Sequence, residues 1–165
     1  ARALDVSHGS VYRHFPSKAS LREAVAKRRL DRASAPLLEI TEATGPAPER
    51  LERWLRTMFA IKHKRFGDDP EMFATYLTLA QEACKVVKGH KDCLVDQIAA
   101  MIEDGVKQGV FDVADPRIAA RTIFDATSRF HHPAHADEWN DPDSQVRIDA
   151  LLTLLLRGLE APKPR

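Results

Sequence analysis

The chain has 165 residues, 44% of them hydrophobic and 30% charged, with a formal net charge of +1. These values describe an ordinary globular protein with one sizeable core and exclude a disordered or fibrous chain. No apolar run approaches the ~18 residues of a transmembrane helix, no signal peptide is visible, and two cysteines make neither a disulfide framework nor a zinc spacing. Cys84 and Cys93 are therefore expected as reduced thiols in a cytoplasm. The small net charge hides an asymmetry. Residues 1–33 hold eight Lys/Arg against three acids, whereas the remainder holds 17 basic and 21 acidic residues. A basic front on an acidic body fits a small nucleic-acid reader joined to a larger module that does not touch phosphates.

Taken in order, Ala1 to Leu4 form a short helical end and Asp5-Val6 a tight turn. Ser7 then stands at an N-cap, its hydroxyl placed to accept a free backbone N–H. Pro16 disfavours the α conformation at Phe15 and ends that brief helix, and Ser17 caps another beginning at Lys18. Two short helices about a tight turn, the second carrying His, Ser, Tyr and Arg, predict a helix-turn-helix. The helix from Ser17 to about Ser34 has Leu21, Ala24, Val25 and Leu30 on one side. Ser34 to Pro48, with Pro36, Gly45, Pro46 and Pro48, reads as a loop or weak helical tail and as the boundary between modules.

The remainder has helical periodicity, and no stretch alternates for long enough to be a strand. A helix over about 48–66 carries Leu51, Trp54, Leu55, Met58, Phe59 and the stem of Lys62 on one face. Gly67-Asp68-Asp69-Pro70 stops it and opens a helix with Met72, Phe73, Tyr76, Leu77, Ala80, Cys84 and Val87 that breaks near Gly89. Another spans about 91–108, with Gly109 as its C-cap. Asp115-Pro116 provides N-cap and N1 for a helix striped by Ile118, Ala119, Thr122, Ile123, Ala126 and Phe130. An irregular His-rich segment follows, and Asp141-Pro142 repeats the pairing for a last helix bearing Ile148, Leu151, Leu152, Leu155, Leu156 and Leu159. The expected fold is all-α, with a DNA-binding unit in residues 1–33 and a helical bundle in residues 34–165, to which the resemblance described next assigns effector binding and dimerisation.

Val6-Ser7-x-Gly9-x-Val11-Tyr12-Arg13-His14-Phe15-Pro16-Ser17-Lys18 resembles the signature of the TetR family of bacterial transcriptional repressors at every position of its pattern. The usual Gly before the Val is Asp5 here, a residue that tolerates the left-handed conformation a helix C-cap needs. Gly105-x-x-x-Gly109-x-Phe111-x-x-x-Asp115-Pro116 is similar to the junction before the penultimate helix of many such regulators. The resemblance implies that a helix and most of another precede this point in family members, so the chain is expected to begin inside the DNA-binding unit. It also implies a homodimer on two-fold operator DNA, with recognition helices ~34–36 Å apart in successive major grooves. A small-molecule effector would bind in the bundle.

Candidate DNA contacts are Ser7, His8, Gly9, Ser10, Tyr12, Arg13, His14 and Lys18. The first of these lie at the N-terminal end of the recognition helix, Gly9 lets the backbone approach the groove, and Tyr12, His14 and Lys18 resemble the family's phosphate and thymine-methyl contacts. Candidate pocket residues are Trp54, Met58, Phe59, Met72, Phe73, Tyr76 and Phe124, whose helical spacing equally suits plain core. Ile118, Thr122, Ile148, Leu151, Leu152, Leu155 and Leu159 are the candidate dimer interface, because apolar residues cover more than half of the last helix. His131, His132 and His135 lie near Asp125 and Asp137, but Pro133 breaks their helical spacing, so a polar loop leads over a metal site. No cofactor is expected. No phosphate-cradling Gly loop, nucleophile elbow or HExxH is present, so the expected function is regulatory rather than enzymatic. The competing reading is a helical dimeric binding or interaction module without DNA binding.

Overall fold

The computed structural model describes residues 15–68 and 84–162. The fold is all-α, with five helices among the described residues: α1 (Lys18–Glu42), α2 (Ala47–Asp68), α3 (Cys84–Lys107), α4 (Pro116–Ala126) and α5 (Ser144–Leu159). Two 3₁₀ turns, Ser128–Phe130 and Pro133–Glu138, connect α4 to α5. The central helix is α3, packed against α1, α2 and α4, while α5 lies on α2.

Ser17 caps α1 as its position predicts. Its Oγ accepts the Ser20 N–H at 3.1 Å, and Ser20 returns the bond by accepting the Ser17 N–H at 3.1 Å. This is a capping box with Ser in the place usually held by Glu or Gln. The helix does not stop at Ser34. It runs through Pro36 to Glu42, so the expected loop shrinks to 43–46 and the boundary drawn at residue 34 falls within a helix. An interior proline costs about 3 kcal/mol, and tertiary contacts must offset it. Leu37 is buried in the main core, Ile40 packs against that core, and Arg50 of α2 caps the carbonyl end.

Residues on the inner face of α2 meet those of α3 in the main core. Leu51, Trp54, Leu55, Met58 and Phe59 oppose Leu94, Val95, Ile98, Met101 and Ile102, all nearly or fully buried. Trp54 satisfies its indole N–H by donating to Gln97 Oε1 at 2.9 Å. The predicted break near Gly89 is absent, because α3 is continuous from Cys84. One helical glycine costs only about 1 kcal/mol, less than the packing of the turns beyond it supplies.

Gly109 ends α3 in the left-handed region at φ 69°. A Cβ at Gly105 would fall inside the Phe111 ring, so its lack of a side chain lets the chain double back closely. Asp115 caps α4 through bonds accepted from the Arg117 and Ile118 N–H groups at 2.9 and 3.0 Å. The last helix departs from expectation. Its N-cap is Asp143 rather than Asp141, and Asp141 instead accepts the Asp143 N–H at 2.9 Å and pairs with Arg147. Pro142 therefore sits in a turn before the helix. Asp112 donates to the Leu159 carbonyl at 2.9 Å and Ala161 to the Val110 carbonyl at 3.0 Å, fastening the end of α5 to the α3–α4 junction.

Candidate functional site

The DNA-contact candidates Ser7, His8, Gly9, Ser10, Tyr12, Arg13 and His14 lie outside the described residues, as do Met72, Phe73 and Tyr76 of the pocket set. Lys18 is exposed in the first turn of α1. Arg28, Arg29 and Arg32 follow on the solvent side of the same helix, while Lys27 pairs with Asp31 at 2.7 Å.

Trp54, Met58, Phe59 and Phe124 are 0, 1, 2 and 5% exposed and belong to one core. The structure adds to them a histidine that the spacing argument had placed in a loop. His131 is 6% exposed, its ring 4.5 Å from Phe124 and stacked 6.4 Å from Phe59. Its Nε2 lies 3.0 Å from the Phe124 carbonyl. A carbonyl only accepts, so that nitrogen carries the hydrogen. Burial pushes the imidazole pKa down to about 4, with Lys62, His132 and Lys91 adding repulsion. A second ring is held in the same manner. His63 stacks 4.8 Å from Trp139, and its Nε2 donates to the Phe130 carbonyl at 2.9 Å. Burial lowers its pKa too.

His131, His132 and His135 do not converge. His132 Nδ1 accepts the Ala134 N–H at 3.3 Å, and His135 Nδ1 meets Glu138 Oε1 at 3.1 Å. Among the described residues no group of three His, Cys, Asp or Glu side chains is arranged to hold a metal ion. Cys93 is a free, exposed thiol.

The interface candidates divide in two. Ile148, Leu152 and Leu159 are 5, 1 and 7% exposed, inside the protomer's own core. Leu151 and Leu155 are half-buried, and Ile118 and Thr122 face outward. Two residues outside the candidate set stand out. Val146 and Leu154 are 67 and 68% exposed and, with exposed Ala150 between them, recur every four residues along α5. On α4, Ile118, Thr122 and Ala126 repeat that spacing.

The opposite end of α2 carries a polar site with no obvious sequence signal. Arg50, 5% exposed, donates to the Thr41 and Ala43 carbonyls at 3.1 and 2.6 Å and to Asp104 Oδ2 at 2.7 Å. The guanidinium satisfies the last carbonyls of α1 and places positive charge at the negative end of its dipole. Its hydrogen bond holds the Asp104 carboxyl below the usual carboxylate range. Arg50 Nε has no partner among the described residues.

A narrow cleft of about 10 Å³ opens between α1, α2 and α3, lined in part by Leu37, Met58, Ile61, Lys62, His90 and Leu94. Two wider crevices of about 440 and 580 Å³ lie open to solvent, the first along Glu49–Ala60 and the second around Arg50, Asp104 and Gln108.

Residues 1–25 match the family described as bacterial regulatory proteins, tetR family, and residues 47–152 match the tetracyclin repressor-like, C-terminal domain. The chain belongs to the TetR family. Two solved structures share the fold. The reduced form of Escherichia coli NemR superimposes with a TM-score of 0.68 at 14% identity, over 99% of this chain and 85% of that one. A TetR-family transcriptional regulator from Agrobacterium tumefaciens gives 0.61 at 20% identity, over 97% of this chain and 84% of that one. No curated protein matches in sequence. Family membership makes the chain a bacterial transcriptional regulator. No described helix is long and apolar enough to cross a membrane.

Proposed function

We propose that this TetR-family regulator is a cytoplasmic, homodimeric repressor that binds two-fold operator DNA and is released by a small molecule bound in its bundle. The observation that carries the reading is the thirteen-residue signature from Val6 to Lys18, running directly into a capped helix that continues unbroken to the bundle core. In this reading α1 belongs to both units, its basic start to the DNA-binding residues 1–33 and its end to the effector domain. Movement of the bundle then reaches the recognition helices through a rigid rod rather than a flexible linker. An effector changes DNA affinity only by binding the two conformers unequally.

Dimerisation would use the last two helices. The exposed stripes Val146–Ala150–Leu154 and Ile118–Thr122–Ala126, with half-buried Leu151 and Leu155 beside them, supply apolar surface on these two helices. Ile148, Leu152 and Leu159 support it from beneath. The full-length protein, titrated by fluorescence anisotropy against the intergenic DNA upstream of its own gene, tests the reading. Binding should show a two-fold footprint and weaken steeply with salt as phosphate contacts release counterions. A dimer with no affinity for that DNA beyond that for random duplex would favour an interaction module instead.

A further inference from the structure

The cleft between α1, α2 and α3 combines an apolar lining with two nitrogen-bearing side chains. Leu37, Met58 and Leu94 are 3, 1 and 3% exposed, and Ile61 is half-buried beside them. Lys62 and His90, both half-buried, line the same space from α2 and α3. Positive charge gathers at this end of the bundle, since Lys62 and Lys91 both act on His131 and His132. We propose that this cleft is an anion site for a small monocarboxylate with an apolar chain. The carboxylate sits on Lys62 and His90, and the chain lies against Leu37, Met58, Ile61 and Leu94.

Three physical arguments favour that ligand. An apolar chain gains free energy in proportion to the area it buries, and Leu37, Met58, Ile61 and Leu94 offer nothing to a polar one, while the Ser34 hydroxyl on the same wall already donates to the Leu30 carbonyl. A carboxylate reaching a half-buried ammonium and an imidazole N–H forms charge-assisted hydrogen bonds, which are stronger than neutral ones. An amine would bring like charge to Lys62 and Lys91. Lys62 and His90 are each engaged already, so the carboxylate exchanges contacts rather than filling a vacancy.

The cleft as it stands holds about one water molecule. A ligand of several carbons must part α1 from α2 and α3, and the Leu37 wall belongs to α1. That couples occupancy to the helix carrying Lys18 at its start. The proposal rests on the effector reading above and gives that effector a chemical class.

The test uses full-length protein with butanoate, hexanoate, octanoate and benzoate, and with octanol and octylamine as chain-matched controls. Thermal melting is read without DNA, and anisotropy is read on the labelled intergenic duplex. Octanoate at ten times its Kd should raise the melting temperature by about 3–6 °C and release the duplex. Octanol and octylamine should do neither. Lys62→Met should lose the carboxylate shift while keeping a cooperative melt by circular dichroism, Lys62→Arg should retain it, and His90→Gln should weaken it several-fold. Absence of any shift with all four carboxylates, an equal shift with octanol, or an unchanged response in Lys62→Met overturns the assignment. A duplex that never binds, whatever the melting data show, counts against the repressor reading and not against the cleft.

Discussion

Arg50 and His131 are both buried titratable side chains at opposite ends of the bundle, and the protein handles them in opposite ways. Arg50 stays charged and is surrounded by acceptors: two carbonyls from the end of α1 and the Asp104 carboxylate. His131 is placed between phenylalanine rings with one carbonyl to bond and, among the described residues, no carboxylate acting on it, so burial keeps it neutral. A guanidinium cannot shed its proton, so burial is tolerable only with partners. An imidazole can, and then costs little to bury. The first arrangement fastens the connecting helix, and the second lets the aromatic centre remain apolar.

Breaking the charged end should have the largest effect. Arg50→Ala removes three bonds and exposes the free carbonyls of α1, for an expected loss of about 3 kcal/mol in chemical denaturation. Asp104 is 39% exposed, so its share is discounted for solvent screening. The loss should be the same at pH 8 and pH 6, because the Asp104 carboxyl is held below the usual carboxylate range and is already charged at both. Equal stability of the variant would show that Arg50 only fills space.

Acid should break the other end to a slightly smaller extent. The folded pKa of His131 is about 4 against an unfolded value near 6.5. Between these values the unfolded chain holds the proton and the folded chain does not. Stability is thus fully present above pH 6.5 and falls as pH drops toward 4, by about 2–3 kcal/mol over that window. His63 and His132 shift in the same direction and steepen the slope. His131→Phe should flatten much of it while leaving Arg50→Ala just as damaging at neutral pH. A pH profile identical in wild type and variant would refute this account.

Gln97 lies between the two extremes, as a neutral acceptor for the Trp54 indole. Gln97→Leu leaves a buried N–H without its bond and should cost about 1–2 kcal/mol with a change in Trp54 emission, checked by fluorescence-monitored urea unfolding. Leu154→Lys should have the smallest effect on the fold, within about 0.5 kcal/mol, because the side chain is 68% exposed. Light scattering should nonetheless show monomer in place of the dimer proposed for the wild type. A variant that stays dimeric would move the interface off α5.

Helices whose signals are local were legible from residues alone. Ser17 and Asp115 cap where their side chains predict, Gly109 ends α3 in the conformation glycine favours, and the stripe of α2 faces the core, whereas Ile118, Thr122 and Ala126 of the expected α4 stripe face outward. Each depends on interactions within one or two turns of chain. The errors arose where distant residues outweighed a local preference. Pro36 and Gly89 read as breaks, yet α1 and α3 pass through both because packing beyond them outweighs costs of about 3 and 1 kcal/mol. Asp141 reads as a cap, but its carboxylate is taken by Arg147 and the Asp143 N–H.

Within the candidate site, composition pointed to Trp54, Met58, Phe59, Met72, Phe73, Tyr76 and Phe124 as a set, and the structure joins the four that lie among the described residues, Trp54, Met58, Phe59 and Phe124, in one core. It could not show that His131 joins them, since seven residues and a helix end separate Phe124 from the ring that bonds its carbonyl. Nor could apolar periodicity sort Leu152, 1% exposed, from Leu154, 68% exposed, on a helix apolar over most of its circumference. Sequence determined the all-α class, the local caps and the buried face of α2. Tertiary structure decided which neighbour each buried residue meets, because that choice depends on groups far apart in the chain meeting in space.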